Sequence, residues 1–467
     1  MTHPLDLPVT EIARGIRAGR FSATGITGES LRRAHLVQET CNAFILIRED
    51  QALAAARAID EAVAQGRTGG ALLGVPFAAK DMTPTEGDLL TLGSWSTGER
   101  VADTTAPCIR RLEEAGAILI GKTTTPEFAF SGITTSPRWG VTRNPWDVTR
   151  TSGGSSGGAG VVVSAGVVPI AEGTDMGGSV RIPAAFCGTV GLKPSIGRIP
   201  MTILPSQFDS LSHFGPLART VADALAFMEV TAGPDDADIS SLPVPFDVDA
   251  ARPVDLAGRR FAFSPDLGYV AVAPEVAEVM ALTITRLREE GAVIEEVSLP
   301  WTRVLSDAWD DLWSVFMSGF FGDEAAFPRE RMDSRVLSLI ARGEAMSATQ
   351  YKRIEILRSR MWDDLAPVLA QHDALLCPTC PITPPAAEGG SFGQTLPDGR
   401  YAGLEMTSIF NLVPQVPALS IPAGLAEGLP VGLQMIGRRF GDERLLALGA
   451  AIEAVLPPIG HPPGHAG

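Results

Sequence analysis

Apolar positions recur at helical spacing over residues 8–66. PVTEIARGIRAGRFS sets apolar side chains three and four apart, and EDQALAAARAIDEAVAQG is dense in Ala, Glu and Arg. Both stretches predict helices, with Gly66 and the Gly69-Gly70 pair ending the second. ALLGVPFAAKDM follows, a strand-like apolar run that stops on Lys80 and Asp81. In GAILIGKT the apolar AILI is itself a strand, and RRFAFSPDLGYVAVAPEVAEVMALTITRLREEGAVIEEVSLP reads strand, loop, long helix, strand, an α/β unit. The Pro- and Asp-rich residues 234–256 form a surface connection. Residues 305–372 read as helical, and DAWDDLWSVFMSGFF aligns Trp309, Trp313, Phe316 and Phe320 on one stripe of the kind that faces a core. GLPVGLQMIGRRFGDERLLALGAAIE closes the chain as a strand followed by a helix. There is no internal repeat and no low-complexity tract.

Residues 151–194 break this periodicity. TSGGSSGGAGVVVSAGVVPIAEGTDMGGSVRIPAAFCGTVGLKP holds two glycine-flanked serines, Ser155 and Ser179, separated by an apolar segment and the strand-like VVPIAEGTD. Glycine lets a backbone approach a ligand closely and adopt positive φ, so the amide N–H groups of such turns can point into a site. The stretch has the character of catalytic machinery.

The order G-G-S-S-G-G, then G-T-D-x-G-G-S-x-R-x-P, then G-x-x-G-x-K-P runs unbroken from Gly153 to Pro194 and resembles the signature of the amidase signature hydrolases. GVPFAAKD resembles the segment in which that family carries a catalytic lysine, and the likeness continues through HFGPLARTVADALAF, HDALLCPTCPITPP and IFNLVPQVPALSIPAG. The resemblance spans nearly the whole chain and is weakest over residues 235–400. It implies an α/β fold in a single domain over residues 1–467: a mixed, twisted β-sheet covered by helices on both sides. Residues 1–66 would be packing helices within it, and residues 300–400 a variable helical segment shaping substrate access.

By the same resemblance Ser179 is the nucleophile of an acyl-enzyme, and Ser155, following a cis peptide bond, relays a proton between Ser179 and Lys80. Lys80 is then the base and must be neutral, a state favoured by the apolar residues before it. The backbone N–H groups of Met176, Gly177, Gly178 and Ser179 form the oxyanion hole, since side-chain-poor residues let consecutive amides converge on one oxygen. Thr174, Asp175, Arg181 and Ser156 support the loops. Ala129, Phe130, Ser131 and Gly154 lie beside the acyl group. The expected reaction is hydrolysis of amide C–N bonds, extending to aryl amides, carbamates and esters; the alternative within the family is the glutaminase subunit of a tRNA-dependent amidotransferase. An apolar, aromatic amide or carbamate is expected over glutamine, because no carboxylate-binding motif is evident, although Arg329, Arg331 and Arg335 lie in the variable segment.

Two further patterns match motifs without their context. Residues 116–123 fit G-x-x-x-x-G-K-[ST], but a phosphate-binding loop follows a strand, whereas here the x positions are the strand. Residues 153–157 fit G-x-S-x-G, which needs acid and histidine partners, and His213, His372, His461 and His465 sit in no recognisable motif. The 467 residues are 45% hydrophobic and 20% charged, enough for a substantial core. A net charge of −16 argues against unaided binding to a phosphate backbone, so nucleic acid is not an expected partner. No run approaches a membrane span or a signal-peptide core. Five scattered cysteines (Cys41, Cys108, Cys187, Cys377, Cys380) suit reduced thiols, and a cytoplasmic location is expected. Cys377 and Cys380 lack a second pair and nearby histidines, which argues against a metal or redox site there, and the resemblance implies neither a metal nor an organic cofactor. The expected partner is a small-molecule amide or carbamate, with a homodimer compatible.

Overall fold

In the computed structural model, residues 3–323, 329–389 and 392–464 are described; His465 and parts of the 300–400 segment lie outside them. The strands are β1 (Phe44–Ile47), β2 (Pro76–Lys80), β3 (Ile118–Thr123), β4 (Thr135–Ser136), β5 (Gly140–Val141), β6 (Ile170–Asp175), β7 (Val190–Lys193), β8 (His213–Ala218), β9 (Arg260–Phe263), β10 (Val293–Glu296), β11 (Ala374–Pro378), β12 (Gln394–Thr395), β13 (Tyr401–Ala402), β14 (Ala418–Ala426) and β15 (Leu429–Ile436), and the longer ones form where the apolar runs stand. Eleven of them make one sheet in the order β1-β3-β2-β6-β8-β7-β14-β15-β11-β9-β10. It is mixed: β3, β2 and β6 run parallel, as do β11, β9 and β10, whereas β8, β7, β14 and β15 pair antiparallel. The β9 and β10 pair is the strand, helix, strand unit read from residues 259–300, joined through the helix Pro274–Glu289. β14 and β15 form a hairpin whose two loop residues, Glu427 and Gly428, both have positive φ, as a tight turn matching strand twist requires.

Both faces of the sheet are buried, and the alternation along single strands divides them. In β11, Ala374 and Leu376 join one core with the helices Pro274–Glu289 and Asp442–Val455, while Leu375 and Cys377 join another with Val304–Phe321 and Ala348–Gln371. The chain is a single domain with helices on both sides of the sheet.

One expectation fails locally. Residues 8–66 are not helical throughout, because β1 interrupts them between the helices Ala23–Cys41 and Glu49–Ala64. Asn42, at φ +53, ends the first of these in the left-handed conformation. The branched FILI then pairs antiparallel with β3, where edge pairing outweighs local helix preference.

Candidate active site

β2 and β6 are parallel neighbours and end at the same edge, so Lys80 at the end of β2 comes beside Thr174 and Asp175 at the end of β6. The helix Gly157–Ser164 packs against both strands, and a Cβ on Gly158 would stand 2.5 Å from the carbonyl oxygen of Ala43, just before β1. Its glycines let the helix approach the sheet and bring Ser155 and Ser156, just before its first turn, onto the strand ends.

Lys80 is fully buried. Its Nζ donates to Ser155 Oγ at 2.6 Å and to Thr174 Oγ1 at 2.9 Å, and its backbone N–H donates to Glu172 Oε2 at 2.8 Å. The Gly154–Ser155 peptide bond is cis. The Ser156 amide donates to the Ser179 carbonyl at 3.1 Å, joining the two serine turns, and Ser156 Oγ bridges the backbone N–H and carbonyl of Thr174. Ser179 is half-buried and lines a cavity of about 530 Å³.

Burial brings the Lys80 ammonium down to about 7, against the opposing pull of Glu172 and Asp175. Burial likewise raises Glu172 above the usual carboxylate range. Asp175 behaves oppositely: burial alone would raise it, but the Arg181 charge and its hydrogen bonds outweigh that and hold the carboxyl well below its ordinary value. All five Arg181 N–H groups are used. Nε and one Nη2 hydrogen meet the Asp175 carboxylate at 3.0 and 2.8 Å; the others reach Asn411 Oδ1, the Thr407 carbonyl and Gln434 Oε1 at 2.7 to 2.9 Å. Asp175 in turn accepts the amides of Gly178 at 2.8 Å and Val180 at 3.2 Å, which shapes the turn carrying Ser179.

The cavity wall includes Met176, Gly177 and Ser179, together with Ala129, Phe130 and Ser131. Gly178 does not line it, and its amide is committed to Asp175, which removes it from the set of four converging amides. Gly154 is also behind the wall, pressed on the backbone of residues 131–133 so closely that a Cβ would lie 2.7 Å from the Ile133 carbonyl carbon. The aromatic stripe divides. Trp309 and Trp313 line the cavity, stacked at 5.7 Å, with their indole N–H groups donating to the carbonyls of Met176 at 2.9 Å and Phe130 at 3.0 Å. Phe316 packs on Trp313 in the core beneath, and Phe320 faces a separate cavity.

The other motif matches resolve structurally. Lys122 is buried within β3, and its Nζ donates to the Thr83 carbonyl. His213 is buried, its pKa lowered to about 3 by desolvation and by Lys193, and its ring meets backbone carbonyls; the partner of Ser155 is Lys80. Cys377 and Cys380 are buried thiols, with Cys377 pushed up to about 12 by burial, and among the described residues no His, Cys, Asp and Glu cluster could hold a metal.

Several residues of the site carried little signal in the sequence. Glu172 and Gln434 are polar interruptions of apolar strands and could have been noticed. Asn411, Thr407 and the anchoring roles of the two tryptophans depend on contacts across more than a hundred residues of chain.

The Amidase family profile matches residues 25–446. The chain belongs to the amidase signature family. It is 34% identical over 462 residues to an acylamidase of Rhodococcus erythropolis, covering 97% of this chain and 96% of that one. It is also 36% identical over 486 residues to a glutamyl-tRNA(Gln) amidotransferase subunit of Chloroflexus aurantiacus, covering 97% of each. Among solved structures, that of a bacterial aryl acylamidase of the amidase signature family superposes with a TM-score of 0.90 at 30% identity, over 96% of each chain. The mixed sheet with its helical layers is therefore that of an amidase signature hydrolase. No helix among the described residues is long and apolar enough to cross a membrane.

Proposed function

We propose that this amidase-family hydrolase cleaves apolar, aromatic amides and carbamates through an acyl-enzyme on Ser179, with Ser155 as proton relay and Lys80 as base. The observation that carries the reading is the 2.6 Å contact between a fully buried Lys80 Nζ and Ser155 Oγ behind an aromatic-lined cavity that Ser179 faces. Ser179 Oγ attacks the carbonyl carbon while its proton passes to Ser155 Oγ, whose own proton moves to the neutral Lys80. The amides of Met176, Gly177 and Ser179 receive the oxyanion; one such donor is worth about 3 to 4 kcal/mol. Collapse expels the amine, which takes the proton back through Ser155. Water then repeats the sequence on the acyl-enzyme and frees the acid. Asp175, Arg181, Thr174 and Ser156 hold the turns in register.

The family likeness to amidotransferase subunits supports a second reading, in which the chain is the glutaminase of such a complex. Glutamine carries a fixed α-carboxylate, which calls for a placed cation. The three cavity arginines are each paired with carboxylates: Arg303 with Asp307 and Glu405, Arg335 with Asp333, and Arg342 with Asp311. That favours the apolar substrate. The test is kcat/KM of the purified protein for acetanilides, aryl carbamates, p-nitrophenyl esters and glutamine, with a fluorophosphonate label mapped by peptide sequencing. Label on Ser179 and preference for the aryl substrates are expected. Label on Ser155 or a cysteine refutes the nucleophile, and glutamine best by tenfold, about 1.4 kcal/mol in barrier, puts the glutaminase reading first.

A further inference from the structure

The helix Val304–Phe321 presents Ser306, Trp309, Asp310 and Trp313 to the cavity from one face, as positions three and four apart must. The two indoles give that wall its apolar character. Asp310 is the exception. The cavity arginines are already matched by the carboxylates named above, and Ser306 Oγ is taken by the Tyr269 hydroxyl at 2.7 Å. Among the described residues the Asp310 carboxylate has no ion pair and no hydrogen bond. The charges that act on it are Arg342, Asp307, Arg303 and Glu405, and two of the four are negative. The lining arginines Arg303, Arg335 and Arg342 are matched by Asp307, Glu405, Asp333 and Asp311, which leaves Asp310 as a lining carboxylate with no ion-pair partner among the described residues. A half-buried carboxylate without a partner among stacked indoles is complementary to a cation on an aromatic body, since the ring faces add cation–π attraction.

We propose that Asp310 is a specificity-determining residue that selects amides whose aromatic portion carries a protonated amine. The inference rests on the amidase reading above and deepens it by naming the substrate class. Burial also lifts the Asp310 carboxyl to about 6, so it is charged above neutrality.

A matched set of anilides separates the two claims: 4-(aminomethyl)acetanilide, the near-isosteric neutral 4-ethylacetanilide, and the anionic 4-(carboxymethyl)acetanilide. At pH 8 and low salt, kcat/KM should rank cation, neutral, anion, with cation over neutral by about tenfold, as expected for one charge-assisted contact. Raising ionic strength should shrink the ratio. Asp310→Asn should bring the ratio towards one and relax rejection of the anion, and Asp310→Glu should restore part of it, with fluorophosphonate titration of Ser179 giving the folded fraction of each variant. A ratio near one in the unaltered protein while 4-ethylacetanilide is hydrolysed, or a ratio unchanged by Asp310→Asn, overturns the inference and leaves the amidase reading standing. Failure to hydrolyse any of the three anilides overturns both.

Discussion

The protonation of Lys80 sets how the protein should respond to pH, and the size of the effect follows from its burial. An ordinary lysine near 10.5 would be neutral in about one molecule in three thousand at pH 7, whereas at about 7 it is neutral in about half. The difference corresponds to about 5 kcal/mol withdrawn from the charged form, and it raises the supply of active base by about a thousandfold. In the proposed mechanism the neutral amine takes the proton, so activity should be lost below its pKa and complete above it. The expected profile of log kcat/KM rises with unit slope from acid pH and flattens not far above pH 7. The rate of Ser179 inactivation by a fluorophosphonate should follow the same curve, which removes substrate ionisation from the interpretation. Glu172→Gln removes the negative charge that most favours the ammonium, so the inflection should move to lower pH. Lys80→Ala should fold and lose several orders of magnitude in activity. Rates that keep climbing past pH 9, a flat profile from pH 5.5 upwards, or a Glu172→Gln inflection moved to higher pH would each refute the assignment.

Two substitutions test what holds Lys80 and Ser179 in place. Arg181→Lys keeps the charge but cannot use five donors in a fixed plane, so Asp175, Asn411 and Gln434 lose partners at a fully buried position; a loss of about 3 to 5 kcal/mol in urea unfolding is expected, and a change under 1 kcal/mol refutes it. Gly177→Ala would place a Cβ 2.2 Å from Trp309 Cζ2, forcing either the indole or the Ser179 turn to shift; kcat/KM should fall on the order of a hundredfold, partly recovered by adding Trp309→Phe, and unimpaired activity in the single variant refutes the contact.

How far the sequence revealed all this depended on whether a residue's role is local. GVPFAAKD and the 153–194 stretch carry their geometry within a few residues, since a strand end, a glycine turn and a short helix place Lys80, Ser155 and Ser179 with little help from elsewhere. The β9–helix–β10 unit was legible for the same reason, with both periods readable in one continuous span. Residues whose role is set by distant chain were not. FILI at 44–47 reads as part of a helical region until β3 offers it an edge. Trp309 and Phe316 sit on one stripe of one helix, yet one lines the cavity and the other is core, packed between Trp313 and Phe321, and the segment around Ala129 runs along that helix from Trp313 to Phe321. That segment makes its bend with Phe128 and Ala129 at φ +50 and +56, a conformation no local pattern of large or β-carbon-bearing residues announces. Gly178 is the sharpest case. A run of Met-Gly-Gly-Ser suggests four equivalent amides, but a buried Asp175 pinned by Arg181 needs further donors of its own and takes one of them. The same carboxylate that orders the turn therefore limits how many amides the turn can offer an oxyanion. Which amides of this turn are committed within the fold, and which the proposed mechanism can use, is decided by an ion pair whose other anchors, Asn411 and Gln434, lie more than two hundred residues away.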